Sequence, residues 1–105
     1  YSGGSKMAGK PAAAVVSCRR GGATAGFDQI NKYFTINNMP VVSSQYWNMV
    51  HGNTPAEVQQ DEEGLQIMRT LGSNMAWLLK CIEAGKNAGI DAPETEKKIM
   101  TNFIR

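Results

Sequence analysis

Residues 11–44 read PAAAVVSCRRGGATAGFDQINKYFTINNMPVVSS, and the order of elements in this stretch decides the fold. Pro11 to Ser17 form a short apolar run bounded by Lys10 on one side and a polar, glycine-rich stretch on the other, which predicts a strand buried on both faces. From Thr24 onward, Phe27, Ile30, Tyr33 and Phe34 fall at spacings of three and four, the pattern of an amphipathic helix with Thr24 as its cap. Asn37 and Asn38 suit the left-handed geometry that closes a helix, and Pro40 cannot continue one. Val41, Val42, Ser43 and Ser44 then read as a second buried strand. A helix of this length is a suitable crossover between parallel strands, so the stretch is expected to be a βαβ unit.

Further along, residues 45–60 carry Gly52, Pro55 and many amides, and read as a long functional or interface loop. Asp61, Glu62 and Glu63 place negative charge where a helix begins. Leu65, Met68, Leu71, Met75, Leu78 and Ile82 continue as one apolar stripe at spacings of three and four, expected to serve as core or dimer packing. Gly85 and Gly89 mark the end of this helix, and a weaker helical pattern through Ile99, Met100, Phe103 and Ile104 suggests a tail helix.

The bulk numbers narrow the class. A chain of 105 residues supports one cored domain at most. Its 42% hydrophobic and 19% charged residues are ordinary for a soluble globular protein. Apart from the pairs Arg19–Arg20 and Lys97–Lys98 the basic residues are scattered, so nucleic acid is not an expected partner. No apolar run reaches the roughly 18–20 residues that span a bilayer, and a soluble, cytoplasmic chain is expected. Cys18 and Cys81 lie far apart with no metal-ligand spacing, so no metal site is expected and free thiols are the reading. Two parallel strands with a few helices leave a sheet open at its edges, whereas a doubly wound domain supplies about five strands. Together with the start at Tyr1, this suggests that three strand and helix units precede the chain, or that another copy completes the sheet.

Residues 17–24, which include Ser17, Cys18, Arg19, Arg20, Gly21, Gly22 and Thr24, join the carboxyl end of a predicted parallel strand to the start of a helix. Ligands of open α/β sheets bind at that edge, and glycines there let backbone N–H groups approach an anion or a ring edge. A plain tight turn requiring Gly21 and Gly22 accounts for the same residues.

Three segments in this order, KPAAAVVSCRRGGATAGFDQINKYF (10–34), NNMPVVSSQYWNMVHGNTP (37–55) and DEEGLQIMRTLGSNMAWLLK (61–80), resemble the end of the flavodoxin-like NADPH-dependent FMN reductase family. The resemblance covers residues 10–89 and extends more loosely to the quinone reductases first described as tryptophan-repressor-binding proteins. It implies an α/β fold, the C-terminal half of a flavodoxin-like doubly wound parallel sheet (β-α-β-α plus a C-terminal tail helix). Residues 1–105 would then be one portion of a single domain whose N-terminal phosphate-binding half is absent. Relatives with an iron-sulfur cluster hold it in an amino-terminal cysteine motif that this chain does not contain.

For the complete protein the resemblance implies FMN as cofactor, NADPH or NADH as reductant, and a small-molecule electron acceptor such as a quinone or flavin. It also implies a homodimer or tetramer. The loops that hold the flavin phosphate and flank the ring's other side are not in this chain, so the chain alone is expected to be inactive. The resemblance places residues 17–24 beside the isoalloxazine ring, and Asn37 where the quinone-reductase relatives have a ring-contacting residue. Helix capping alone also justifies Asn37. Arg19 and Arg20 suit nicotinamide-nucleotide phosphates, or are simply solvated. Tyr46, Trp47 and His51, expected after the second strand, suit a wall against the ring or substrate, or a subunit interface. No catalytic side chain is expected, because the flavin itself carries the hydride. The alternative to an oxidoreductase is a non-catalytic half-domain that assembles through its exposed sheet edge.

Overall fold

The computed structural model describes residues 4–101, with the order α1 (Gly4–Met7), β1 (Val16–Cys18), α2 (Ala23–Ile36), β2 (Met49–His51), α3 (Pro55–Val58) and α4 (Glu62–Asn87). β1 and β2 pair in parallel, with Val16, Ser17 and Cys18 opposite Met49, Val50 and His51. α2 is therefore the crossover of a βαβ unit, and the molecule is a small α/β assembly compatible with part of a flavodoxin-like fold. In-register partners share a face, so Val16 and Met49 lie on one side of the sheet and Val50 on the other. Gly26 of α2 approaches Val16, whereas Gly64 of α4 approaches Val50. The two helices consequently cover opposite faces, and the burial of both Met49 and Val50 follows.

The first strand is shorter and less buried than its apolar run predicts. Ala12 and Ala14 are buried, but Val15 is 51% exposed. Ala12 pairs with Val41 through an isolated parallel bridge, and Val42 N–H donates to the Ala12 carbonyl at 2.8 Å. Residues 12, 14, 16 and 18 all spend backbone groups on the side of β2. Strand alternation turns those of Ala13, Val15 and Ser17 to the opposite edge, which no described strand occupies.

The second strand departs from expectation more sharply. Val41 makes only the bridge, and the strand proper is Met49–His51, inside the segment read as a loop. Ala12 pairs with Val41, yet Val16, four residues on, pairs with Met49, eight residues on. Four extra residues are thus accommodated as an outsized bulge between the two pairings. Polar bonds to α4 hold this excursion: Ser44 Oγ donates to the Ile67 carbonyl at 2.8 Å, and Asn74 Nδ2 to the Ser43 carbonyl at 2.8 Å. Gln45 adds bonds with Gln66 and Thr70. Asn48, 1% exposed, donates from Nδ2 to the Ala14 carbonyl at 3.0 Å and so replaces a missing ladder bond.

The helix ends carry further corrections. α2 begins at Ala23 with Gly22 as its cap, so Thr24 lies inside the first turn and does not cap it. Asn38 adopts φ 56°, the left-handed closure expected there. α3 is a single turn opened by a reciprocal Thr54–Glu57 capping box within the expected loop. α4 is fully buried at Leu71, a member of the expected stripe, and at Gly64 and Ile67, which the stripe does not include. Leu65, Met68, Met75 and Leu78 are half-buried, and Ile82 is 44% exposed, because only the first half of the helix lies against β2. The helix closes on Gly89 as expected, with Ile90 N–H donating to the Gly85 carbonyl at 2.8 Å.

No helix forms over residues 93–101, which are exposed. A short segment without a packing surface cannot offset the cost of helix nucleation. The expected contributors Phe103 and Ile104 lie outside the described residues. The Cα radius of gyration is 17.2 Å, against about 13 Å for a compact domain of roughly this size. An α4 about 39 Å long contributes to the excess.

Candidate functional site

Both long helices start at the carboxyl ends of the strands that precede them, and the turn after β1 brings the chain into α2. Gly22 holds φ 93° there, a conformation that a side chain disfavours. No side chain caps α2. Its first intrahelical bond runs from Gly26 N–H to the Gly22 carbonyl, so the N–H groups ahead of Gly26 have no partner within the helix. Ser17, Arg19, Arg20, Gly21 and Gly22 are exposed and Cys18 is half-buried. A Cβ built at Gly21 or Gly22 meets nothing within 4 Å, so this turn presents open backbone.

Beside it lies an open cleft of about 290 Å³, just under the range of about 300–1,000 Å³ common for ligand pockets. Tyr46, Trp47, Met49 and Ile67 give it apolar surface. Thr24 enters from α2, His51 from the end of β2, and Asp61, Glu63 and Gly64 from the start of α4. The Tyr46 and Trp47 rings are tilted against each other at 46° with centroids 4.9 Å apart. Each ring is about half exposed, at 52% and 51%.

Asp61 organises the polar side of this cleft. Its Oδ1 accepts from Gly64 N–H at 2.9 Å, which caps α4. Its Oδ2 accepts from His51 N–H at 2.8 Å and lies 3.7 Å from His51 Nδ1. The Gly64 N–H, then the His51 N–H, hold the Asp61 carboxyl below the usual carboxylate range. Partial burial opposes this, and the charge of the His51 imidazole adds a smaller lowering. One carboxylate thus fixes both the end of β2 and the first turn of α4. A Cβ at Gly64 would collide with that carboxylate and come 2.9 Å from Val50 Cγ2, so the close approach of helix to strand depends on glycine.

Of the residues singled out by sequence, Thr24, Tyr46, Trp47 and His51 meet in the cleft. Ser17, Cys18, Arg19, Arg20, Gly21 and Gly22 form the adjacent turn and do not line it. Asn37 caps the far end of α2, about 20 Å from Gly22 along the helix, and its Nδ2 donates to the Tyr33 carbonyl at 2.7 Å. Tyr46 and Trp47 precede β2 and do not follow it, because the bulge moves the pairing strand downstream. Met49, Asp61, Glu63 and Gly64 escaped the sequence reading, which assigned the acidic pair only to a helix start. The spacing of Asp61 to Gly64, a capping carboxylate three residues before a glycine, was the available signal.

Among the described residues no group of His, Cys, Asp and Glu is placed to hold a metal ion, and no helix is long and apolar enough to cross a membrane. The chain is 32% identical over 77 residues to an iron-sulfur flavoprotein of Methanocaldococcus jannaschii. The match covers 69% of this chain and 40% of that protein, so the chain spans less than half the length of this curated relative. No family model and no solved structure matches the chain. The relationship that the sequence supports is therefore to a flavoprotein, over 69% of the chain.

Proposed function

We propose that this chain supplies the ring-side part of a flavin site in an NAD(P)H-dependent FMN oxidoreductase that passes electrons to a small-molecule acceptor. The observation that carries this reading is the uncapped, glycine-led start of α2 opening beside an aromatic cleft, in a chain related over 69% of its length to a flavoprotein. The N–H groups of the first turn suit the electronegative edge of an isoalloxazine ring, and the positive end of the helix favours charge that develops there. A cleft of this volume accepts a ring edge or a small planar molecule, and the open backbone at Gly21 and Gly22 leaves room for the ring's approach.

FMN supplies hydride acceptance from the nicotinamide and onward electron transfer; the protein supplies binding and orientation. Residues 17–24 would hold the ring, Arg19 and Arg20 the phosphates of NADPH or NADH, and Tyr46 and Trp47 would shield the acceptor from water. His51, tethered by Asp61, would orient the acceptor's polar end. Asn37 has no part in this arrangement, since helix closure accounts for its contacts. A cytoplasmic homo-oligomer completed by an N-terminal half belongs to the same proposal.

Titration with riboflavin and with FMN, followed by flavin fluorescence, tests it. A ring-directed site binds both saturably with similar, modest affinity. Failure of both to saturate would remove the proposal, and strong preference for FMN would move the site to a phosphate cradle.

A second reading has its own observation: the unpaired edge at Ala13, Val15 and Ser17, beside the exposed Val15, suits addition of a strand from another chain. Completion of the sheet in this way is compatible with the flavin site and differs from it in needing no cofactor.

A further inference from the structure

The charge of the cleft is opposite to that of the chain. The sequence carries a formal net charge of +2 at pH 7, with histidine neutral. The acidic and basic side chains that line the cleft among the described residues are nevertheless two carboxylates, Asp61 and Glu63, and the imidazole of His51. Among the described residues no lysine or arginine lines it, although Arg19 and Arg20 stand in the neighbouring turn. Glu63 is exposed and has no ion-pair partner among the described residues. The starts of α4 and of α2, which brings Thr24 to the cleft, contribute roughly half a positive charge each, which leaves about one of the two carboxylates uncompensated. The remaining surface includes the tilted Tyr46–Trp47 pair, whose ring faces attract cations. Carboxylates and aromatic faces therefore favour the same sign of ligand.

We propose that this cleft selects its occupant by charge: it takes planar heteroaromatic cations of the N-alkylated pyridinium type and rejects planar aromatic anions. The inference rests on reading the cleft as the seat of the electron acceptor, and it narrows that acceptor to a chemical class. Apolar contact alone, from Met49 and Ile67, would hold both charge types equally.

The test uses the 15N-labelled chain, titrated separately with methyl viologen and with 1,4-naphthoquinone-2-sulfonate, following the amides of Thr24, His51 and Gly64. Methyl viologen is expected to produce saturable shifts at these amides, and the sulfonate none. Glu63→Gln should weaken viologen binding about two- to fivefold, the scale of one exposed charge contact, and added salt should weaken it further. Glu63→Lys should reverse the preference. Equal affinity for the two probes, an unchanged viologen affinity in E63Q, or saturation by neither probe overturns the inference. Riboflavin is titrated in parallel. Riboflavin binding without charge discrimination defeats this inference and leaves the flavin site standing. Charge discrimination without riboflavin binding supports the cleft's ligand class and defeats the flavin reading.

Discussion

Replacing Gly64 by Ala adds one methyl group at the point where α4 touches the sheet. The new Cβ would lie 2.8 Å from Asp61 Cγ and 2.9 Å from Val50 Cγ2, against about 3.5–4.0 Å for a relaxed carbon contact. Neither neighbour is free to yield: Val50 is buried, and both Asp61 carboxylate oxygens are engaged by backbone N–H groups. Overpacking of this kind costs about 1–3 kcal/mol, and disturbing the Asp61 cap adds about 1 kcal/mol. The Gly→Ala gain in helix propensity returns about 1 kcal/mol. A net destabilisation of about 1–3 kcal/mol is expected, or a melting temperature lowered by roughly 5–20 °C. Gly72 supplies the control, since it lies in the same helix, is exposed, and a Cβ there meets nothing within 4 Å. Gly72→Ala should raise stability by up to about 1 kcal/mol. Urea and thermal denaturation of the two variants read the opposite signs directly. Equal stabilisation by both would refute the packing of α4 on β2 described above.

Three further outcomes follow from the site. Asp61→Asn tests the lowered carboxyl: a depressed folded-state pKa gives stability that is full above the unfolded value of about 3.9 and is lost as pH falls through the folded value. Urea midpoints should therefore show a wild-type advantage at neutral pH that closes in acid, and a pH-independent gap would contradict the assignment. Asn48→Ala leaves the buried Ala14 carbonyl without its donor and should cost about 1–3 kcal/mol in urea denaturation; a loss under about 0.5 kcal/mol would deny Asn48 its anchoring role. Gly22→Ala forces a side chain into φ 93° and should cost about 1–2 kcal/mol by thermal melting, whereas Gly21→Ala should be tolerated; equal effects would mean that the turn is not built as described.

The parallel βαβ frame was legible because it is written in local patterns: an apolar run, a three-and-four periodicity, and an Asn-Asn-Met-Pro stop. The position of β2 was not. Its residues, Met49–His51, follow Gln45, Tyr46, Trp47 and Asn48, and nothing local marks four residues as an insertion between two pairings. That register depends on Asn48 reaching Ala14 and on Ser43, Ser44 and Gln45 bonding to α4, contacts between residues distant in sequence. The helical stripe includes the buried Leu71 but not Gly64 and Ile67, for a related reason. Gly64 is buried by the close approach to Val50, and Ile67 lies one turn on along the same face, whereas periodicity alone favours the larger Leu65 and Met68. At the cleft, His51 and the aromatic pair could be picked by residue type. Asp61 could not, because its role as a helix cap conceals its second bond to the end of β2.

Whether the turn at Gly21–Gly22 and the cleft beside it form one ring-binding surface can be read from amide shifts of the labelled chain on addition of riboflavin. The account requires saturable shifts at residues 18–24 together with those at Met49 and His51, and none at Asn37 or in the last turns of α4. Shifts centred on Asn37, or confined to the second half of α4, would contradict it.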